Sequence, residues 1–435
     1  MEKIYRDSVH NIIRLKTGTD EGRLMIRLVD TAEFQRLRRI KQLGLALFTY
    51  QGAEHSRFTH SLGVLHLATR ILEKLGAKYK ISDEARIAVR SAALLHDIGH
   101  GAFSHVIEGI LNFHHEDITI QAVLSDETEV GRTLRQFSAE LPQAVADVIS
   151  GKYRPMALAQ LVSSQLDVDR MDYLLRDSLM TGAKYGIYDL EWIIKSLEID
   201  EENDRLYISA EGIYAVEDYL QARYYLFRQV YFHRSLRSAE VVLRSLLRRA
   251  LELFQTGRAV WFAHGTPFEK ILRGEKLSLG EHLEMDDSDV MFHIKQWQRD
   301  SDAILSDLSK RFIHRRLFKA FDVDMPNDER QDFLEKARKA VEKAGYDASY
   351  YFVEDKTGDV PYYFYTKDAS QPKNLIYVQE GYARSTIREI SEISAAVRGL
   401  QKGYVIHRVC FPHELNEEIS RLYHGYGDAA ADARV

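Results

Sequence analysis

Cysteine is nearly absent. Cys410 stands alone in 435 residues, which excludes an intrachain disulfide and a cysteine-rich zinc site and fits a reducing compartment. Any metal must then be held by His, Asp or Glu. Proline is scarce as well, with seven in the chain, a frequency that suits long helices. No apolar run approaches the roughly 18 uninterrupted residues of a membrane span. Met1-Glu2-Lys3 leads into no signal-peptide core, so the expectation is a cytoplasmic protein with no membrane partner. Basic charge is not in excess: a net charge of -6 argues against a wholesale polyanion binder, although local basic clusters still hold phosphates. What remains is 45% hydrophobic, enough for a large core, and a change of texture near Asp324 predicts a major unit over 1–324 and a smaller one over 325–435.

One stretch is unusual. From Ile87 to Leu95 the residues leave little polar face, so they read as a helix buried on most sides, and the run ends abruptly in His96-Asp97-Ile98-Gly99-His100 with His105 five residues on. A buried carboxylate needs a partner, because removing its water costs several kcal/mol unless a cation or strong donors replace it. A divalent ion meets that need, and a hydrogen-bonded His-Asp pair is the bland alternative. Gly99 and Gly101 are expected to let the backbone turn tightly beside the site.

Three other places collect similar groups. His60 shares a helical stripe with Val64, Leu67 and Ile71, ended by Gly76; a histidine there is either a satisfied core residue or a ligand brought beside His96-Asp97 by the next helix. Phe113 to Asp117 offers His114, His115, Glu116 and Asp117, as ligands, acids or a solvated surface. Asp169, Tyr173 and Asp177 stand at i, i+4 and i+8, so one edge of a helix combines like charges with a phenol. A cation or substrate hydroxyls explain that edge, as does a salt-bridged surface using Arg170 and Arg176.

The rest supplies a frame. Lys3 to Leu15 reads as a strand or hairpin arm, and Asp30-Thr31 as the cap of a helix carrying Phe34, Leu37, Ile40 and Leu43 up to Gly44. Tyr214 to Phe254 reads as one long helical region rich in aromatics and arginines, with further helices from Asp287 to Phe321. Beyond Asp324 a helix over Glu329 to Ala344 precedes strand-like Tyr350–Val353, Tyr362–Tyr365 and Leu375–Val378, a helix near Ile387, a strand over Tyr404–Cys410 and a frayed tail from Ala429. The fold class expected is mainly α, with a smaller C-terminal α+β part.

The order His60, His96-Asp97, Asp169 resembles the metal signature of the HD-domain phosphohydrolases. Phe34 to Arg38, His55 to Val64, His96 to His105 and Asp167 to Tyr173 resemble more narrowly the branch that hydrolyses deoxynucleoside triphosphates (dNTPs) to deoxynucleoside and inorganic triphosphate. The resemblance implies a helical HD core, with His60, His96, Asp97 and Asp169 holding a divalent ion (Mn, Fe, Mg, Zn or Ni). It implies catalytic roles for His115, His100 and His105, with Glu108 where the best-known relatives carry Asp. It implies triphosphate contacts from Arg57, Arg170 and Tyr173, deoxyribose contacts from Gln42, Asp177 and Tyr231, and a further pocket position at Arg223. Lys3, Asp30, Gln35, Arg38, Arg315 and Lys319 match positions where relatives bind an activating guanine nucleotide or deoxynucleotide between subunits of a tetramer. The positions that hold a second activator's phosphates are here Trp192, Glu211 and Ile213, which cannot do so. A homo-oligomer, dimer or tetramer, is therefore expected. Other HD hydrolases, among them nucleotidases, cyclic-nucleotide phosphodiesterases and alarmone hydrolases, share the metal signature. A nucleotide-regulated nucleic-acid-binding protein would instead use Lys310 to Lys319 with Arg244, Arg248 and Arg249.

Overall fold

In the computed structural model, residues 1–111, 113–362, 375–381 and 386–432 are described, apart from the side chains of His105, Leu111 and 427–432. The chain is mainly α with a smaller α+β region, and among the described residues no helix is long and apolar enough to cross a membrane. It opens with an antiparallel hairpin, Glu2–Asp7 paired to Asn11–Lys16, at whose tip Asp7 Oδ1 accepts the backbone N–H groups of Val9 and His10. Asn11 completes the turn at φ 62°, a conformation asparagine tolerates better than most residues.

Three helices build the centre: Arg57–Gly76, Asp83–Leu95 and Val168–Thr181. The last two start where the sequence supplies a side-chain cap. The Ser82 hydroxyl accepts from Ala85 N, and the Asp167 carboxylate accepts from Arg170 N at 2.8 Å. From Ile87 to Leu95 every residue is buried, as an apolar run without a polar face requires. The helix expected from Thr31 to Gly44 is shorter. It spans Ala32–Arg36, tightens into a 3-10 turn at Leu37–Arg39 and gives way to a bridge between Lys41 and Ser56, so Gln42 lies outside any helix.

Two large apolar cores and one small cluster form among the described residues, and the seam between the two large ones positions the site. The first gathers the hairpin, the three central helices and Leu94, Leu95 and Ile98; the second takes in Leu45, Ala102 and Phe103 and runs on to Phe312, Phe333 and Phe411. His96 to Gly101 therefore crosses from one core to the other. The change of texture at Asp324 is bridged twice. Arg205–Ile208 pairs with Tyr377–Gln379 through Ile208 and Val378, and Lys319–Asp322 pairs with Tyr404–Phe411, the central strand of a sheet completed by Val353–Asp359.

Several local expectations are corrected. Tyr350–Val353 is not a strand: Asp347 caps a short helix, Ala348–Tyr351, and the strand starts at Val353. Ile387–Glu389 is a strand rather than a helix, followed by helices Ile390–Ile393 and Ala395–Leu400. Of Tyr362–Tyr365, only Tyr362 is described, and it is fully buried. The final helix continues from Asn416 to Asp432, past the expected start of the tail. The long region from Tyr214 divides into Ile213–Leu226, a π-helical turn at Phe227–Tyr231 and Arg234–Gln255.

Candidate active site

The helix Asp83–Leu95 ends at the seam with His96 as its last cap, which leaves His96 and Asp97 facing the Arg57–Gly76 and Val168–Thr181 helices. His60 Nε2 lies 3.0 Å from Asp169 Oδ1 and 3.9 Å from Asp97 Oδ2. His96 Nδ1 donates to the Ala93 carbonyl at 3.0 Å, which fixes its proton and turns Nε2 into the site. That nitrogen is buried and makes no hydrogen bond among the described residues; Asp97 Oδ1 and Asp169 Oδ1 stand 3.4 and 3.6 Å away.

Ligand atoms of His60, His96 and Asp169 all lie within 4.8 Å of one another, a group that can hold a metal ion. Electrostatics point the same way. Burial alone would lower the pKa of His60, yet Asp169 and Asp172 outweigh it and raise it to about 10. Burial opposes ionisation of Asp97, but Arg57, His96 and His100 hold its carboxyl well below the usual range. These carboxylates demand positive charge beside them. An orphaned imidazole nitrogen among ionised carboxylates suits a divalent cation.

Asp172, to which the sequence assigned no role of its own, fixes the other side of His60. It accepts from His60 Nδ1 at 2.8 Å, from His10 Nε2 at 2.7 Å and twice from Arg176, whose guanidinium also reaches Asp7. The alternative of a salt-bridged surface at Arg176 is overturned: the arginine is paired, but at 1% exposure. Gly63 makes room for this network, since a Cβ there would stand 1.9 Å from Asp172 Oδ1.

A second group adjoins the first through His100. Its Nε2 lies 3.3 Å from Asp97 Oδ1, its Nδ1 3.3 Å from Glu108, and its ring stacks on His115 at 3.7 Å. Burial and the charge of Arg57 lower the His100 pKa to about 4. His115 Nδ1 donates to Glu108 at 3.1 Å, so glutamate spans the distance despite the extra methylene. His105 opens the helix His105–Leu111, and its side chain lies outside the described residues. The tight turn falls elsewhere than expected. Phe103 and Ser104, at φ 46° and 37°, carry it, held by Asp287, which accepts from Phe103 N at 2.8 Å. Gly99 serves close approach instead: a Cβ would meet the His115 carbonyl at 2.2 Å.

The remaining expected residues divide. Arg57 donates to Asp97 at 2.5 Å and to Ser104 at 3.0 Å. Arg170 turns back onto Asp167 and the Ser164 carbonyl. Asp177 accepts from Tyr231 at 2.7 Å and from His55 at 2.7 Å, while the His55 carbonyl accepts from Gln42 N. Gln42, Asp177 and Tyr231 are thus joined through His55, which sequence reasoning placed only in a loop. The Gln42 Oε1 is buried without a hydrogen bond among the described residues. Tyr231 sits on the π-helical turn, and its ring packs edge-on to Tyr173. Arg223 stacks on Phe227 and donates to the Pro361 carbonyl and Asp359. Away from this pocket, Lys3 donates to Asp30 and Arg38 to Gln35, whereas Arg315 donates to the Phe48 carbonyl and Lys319 lies in the Lys319–Asp322 strand.

A helical seam that gathers two imidazoles among aspartates, with a histidine–glutamate pair alongside, is the kind of arrangement an HD-type hydrolytic centre needs. Residues 57–177 match the HD domain family, whose members bind divalent metals. An uncharacterized protein of Bacillus subtilis, YwfO, is 40% identical over 95% of this chain and 93% of its own length. Deoxynucleoside triphosphate triphosphohydrolase SAMHD1 of Homo sapiens is 31% identical over 53% of this chain and 42% of its own. The crystal structure of a phosphohydrolase from Bacteroides thetaiotaomicron superposes with a TM-score of 0.80 and 30% identity, covering 94% of this chain and all of that one. The chain belongs to the HD-domain, dNTPase-like family of phosphohydrolases.

Proposed function

We propose that this protein hydrolyses dNTPs to deoxynucleoside and inorganic triphosphate. The observation that carries the reading is the continuity from the metal-type group through His100 to the Glu108–His115 pair. His60, His96, Asp97 and Asp169 are the ligands in this reading, and a divalent ion bound there supplies Lewis acidity and a water of lowered pKa.

The chain's own groups do the rest. Arg57 exchanges its Ser104 contact for phosphate oxygens while keeping Asp97, and Arg170 and Tyr173 take the outer phosphates. Water oxygen bonds to the α-phosphorus as the bond to O5′ breaks. His115, carrying a proton on each ring nitrogen, keeps Nδ1–H in its hydrogen bond to Glu108 and delivers the Nε2 proton to the departing O5′; the proton released by the attacking water passes to solvent and restores the imidazolium for the next turnover. Asp177, fixed by His55 and Tyr231, and the unbonded Gln42 Oε1 recognise the deoxyribose. Activity is modulated by a guanine nucleotide or deoxynucleotide held between subunits of an oligomer by Lys3, Asp30, Gln35, Arg38, Arg315 and Lys319. Nucleic acid is secondary at most, since Arg311 is buried against Asp307 and Glu414 and Arg249 is held by Asp302.

Incubation with each dNTP, NTP and cyclic nucleotide plus manganese or magnesium, with products resolved by chromatography, tests the reading. Deoxynucleoside and triphosphate in equal amounts support it. Turnover of a cyclic nucleotide instead assigns the site to another HD hydrolase.

A further inference from the structure

The network behind His60 reaches the N-terminal hairpin, more than 40 residues upstream of the helix that carries this ligand. Asp172 is fully buried, and both its oxygens are doubly used: Oδ2 accepts from His60 Nδ1 and Arg176 Nε, and Oδ1 accepts from His10 Nε2 and Arg176 Nη2. A carboxylate with four donors in place has no freedom to rotate. Two of its three partners depend on the hairpin tip. His10 belongs to it, with its side chain 4% exposed, and Asp7 grips Arg176 Nη1 at 2.8 Å while its other oxygen closes the tip onto Val9 and His10. From the opposite side, Gly63 leaves Asp172 no room to shift.

The consequence falls on one atom. A hydrogen bond from Nδ1 to a fixed acceptor orients the His60 ring, so that Nε2 is the nitrogen left to face Asp169 and Asp97 and, once deprotonated, to take a metal ion. We propose that Asp172 is a positioning residue of the metal centre and that the N-terminal hairpin, through His10 and Asp7, holds it in position. The inference rests on the metal reading given above and adds to it a dependence on a segment outside the helical core. It accounts for a buried His–Asp–Arg–Asp chain that the chemistry at the phosphate does not itself use.

Metal affinity is the direct readout. Chelator-stripped wild type, Asp172→Asn and His10→Gln are titrated with manganese by calorimetry, and thermal unfolding is followed in chelator to establish that each is folded. An asparagine offers one acceptor oxygen in place of two and presents donors to partners that are themselves donors, so Asp172→Asn weakens manganese binding about 10–100-fold. His10→Gln weakens it about tenfold. A group that only stabilised the fold would lower the unfolding temperature in chelator and leave manganese affinity unchanged; that result in either folded variant overturns the proposal. Should Asp172→Asn not fold, His10→Gln decides alone. If the wild type binds no manganese, the metal reading fails and this inference with it, whereas wild-type binding with unaltered variants removes only the inference.

Discussion

The metal-type centre and the cluster around Lys3 use the same residue types in opposite settings. Arg57 and Asp97 meet with side chains 5% and 8% exposed, while Lys3 and Asp30 meet at 38% and 57%. Inside, each charge is held by two or more partners, because an unpaired buried ion costs several kcal/mol. Outside, water already solvates both ends, and such a pair contributes about 0–1 kcal/mol. The first arrangement is complete within one chain and intolerant of change. The second is open to water and its pairing is loose.

Breaking the interior should therefore have the largest effect. His96→Ala or Asp97→Ala is expected to abolish bound metal, measured by elemental analysis, and to lower turnover at least about a thousandfold while the fold persists. His115→Ala should keep its metal yet slow turnover by about two to four orders of magnitude with little change in substrate affinity. Normal turnover there would return His115 to the solvated surface. Gly63→Ala, which drives a methyl into Asp172 and Arg176, should destabilise the protein by about 1–3 kcal/mol in denaturant unfolding.

Acid sharpens the same contrast. Burial, with Arg36 nearby, depresses the His282 pKa to about 4, although the Gly99 carbonyl that accepts its N–H opposes this. The unfolded chain then takes up the proton first, so this stability is present above pH 6.5 and lost as pH falls toward 4. Between pH 7 and 5 the loss is roughly 1–2 kcal/mol, and His282→Gln should remove that part of the acid sensitivity in melting experiments. The smallest effect belongs to the exterior. Lys3→Ala should change stability by less than about 0.5 kcal/mol, but it should blunt any response of rate to added guanine nucleotides or deoxynucleotides.

The interior was legible where chemistry interrupts a pattern. An apolar run ending in His96-Asp97 and a histidine on a helical stripe at His60 both violate the hydrophobic code; His60 and Asp97 proved to be buried, and the His60 and His96 rings adjacent. Asp172 and Arg176 were present in the same helix as Asp169, but i,i+4 spacing fits an exposed pair as well as a buried one, and the deciding partner, His10, is 162 residues away. The break at Phe227–Tyr231 was hidden for a related reason: large apolar and aromatic residues across it, Tyr224 to Phe227 and Val230 to Phe232, blur the periodicity that would mark a change of face. Beyond Asp324 the short strands pair with distant partners such as Ile208 and Lys319, and local sequence carries no record of those registers.

Turnover of a dNTP in 18O-labelled water, with products read by mass spectrometry, tests the central claim most directly. Attack at the α-phosphorus with O5′ as the leaving group predicts one heavy oxygen in intact inorganic triphosphate and none in the deoxynucleoside. Label in the deoxynucleoside, or pyrophosphate with a deoxynucleoside monophosphate in place of triphosphate, would contradict it.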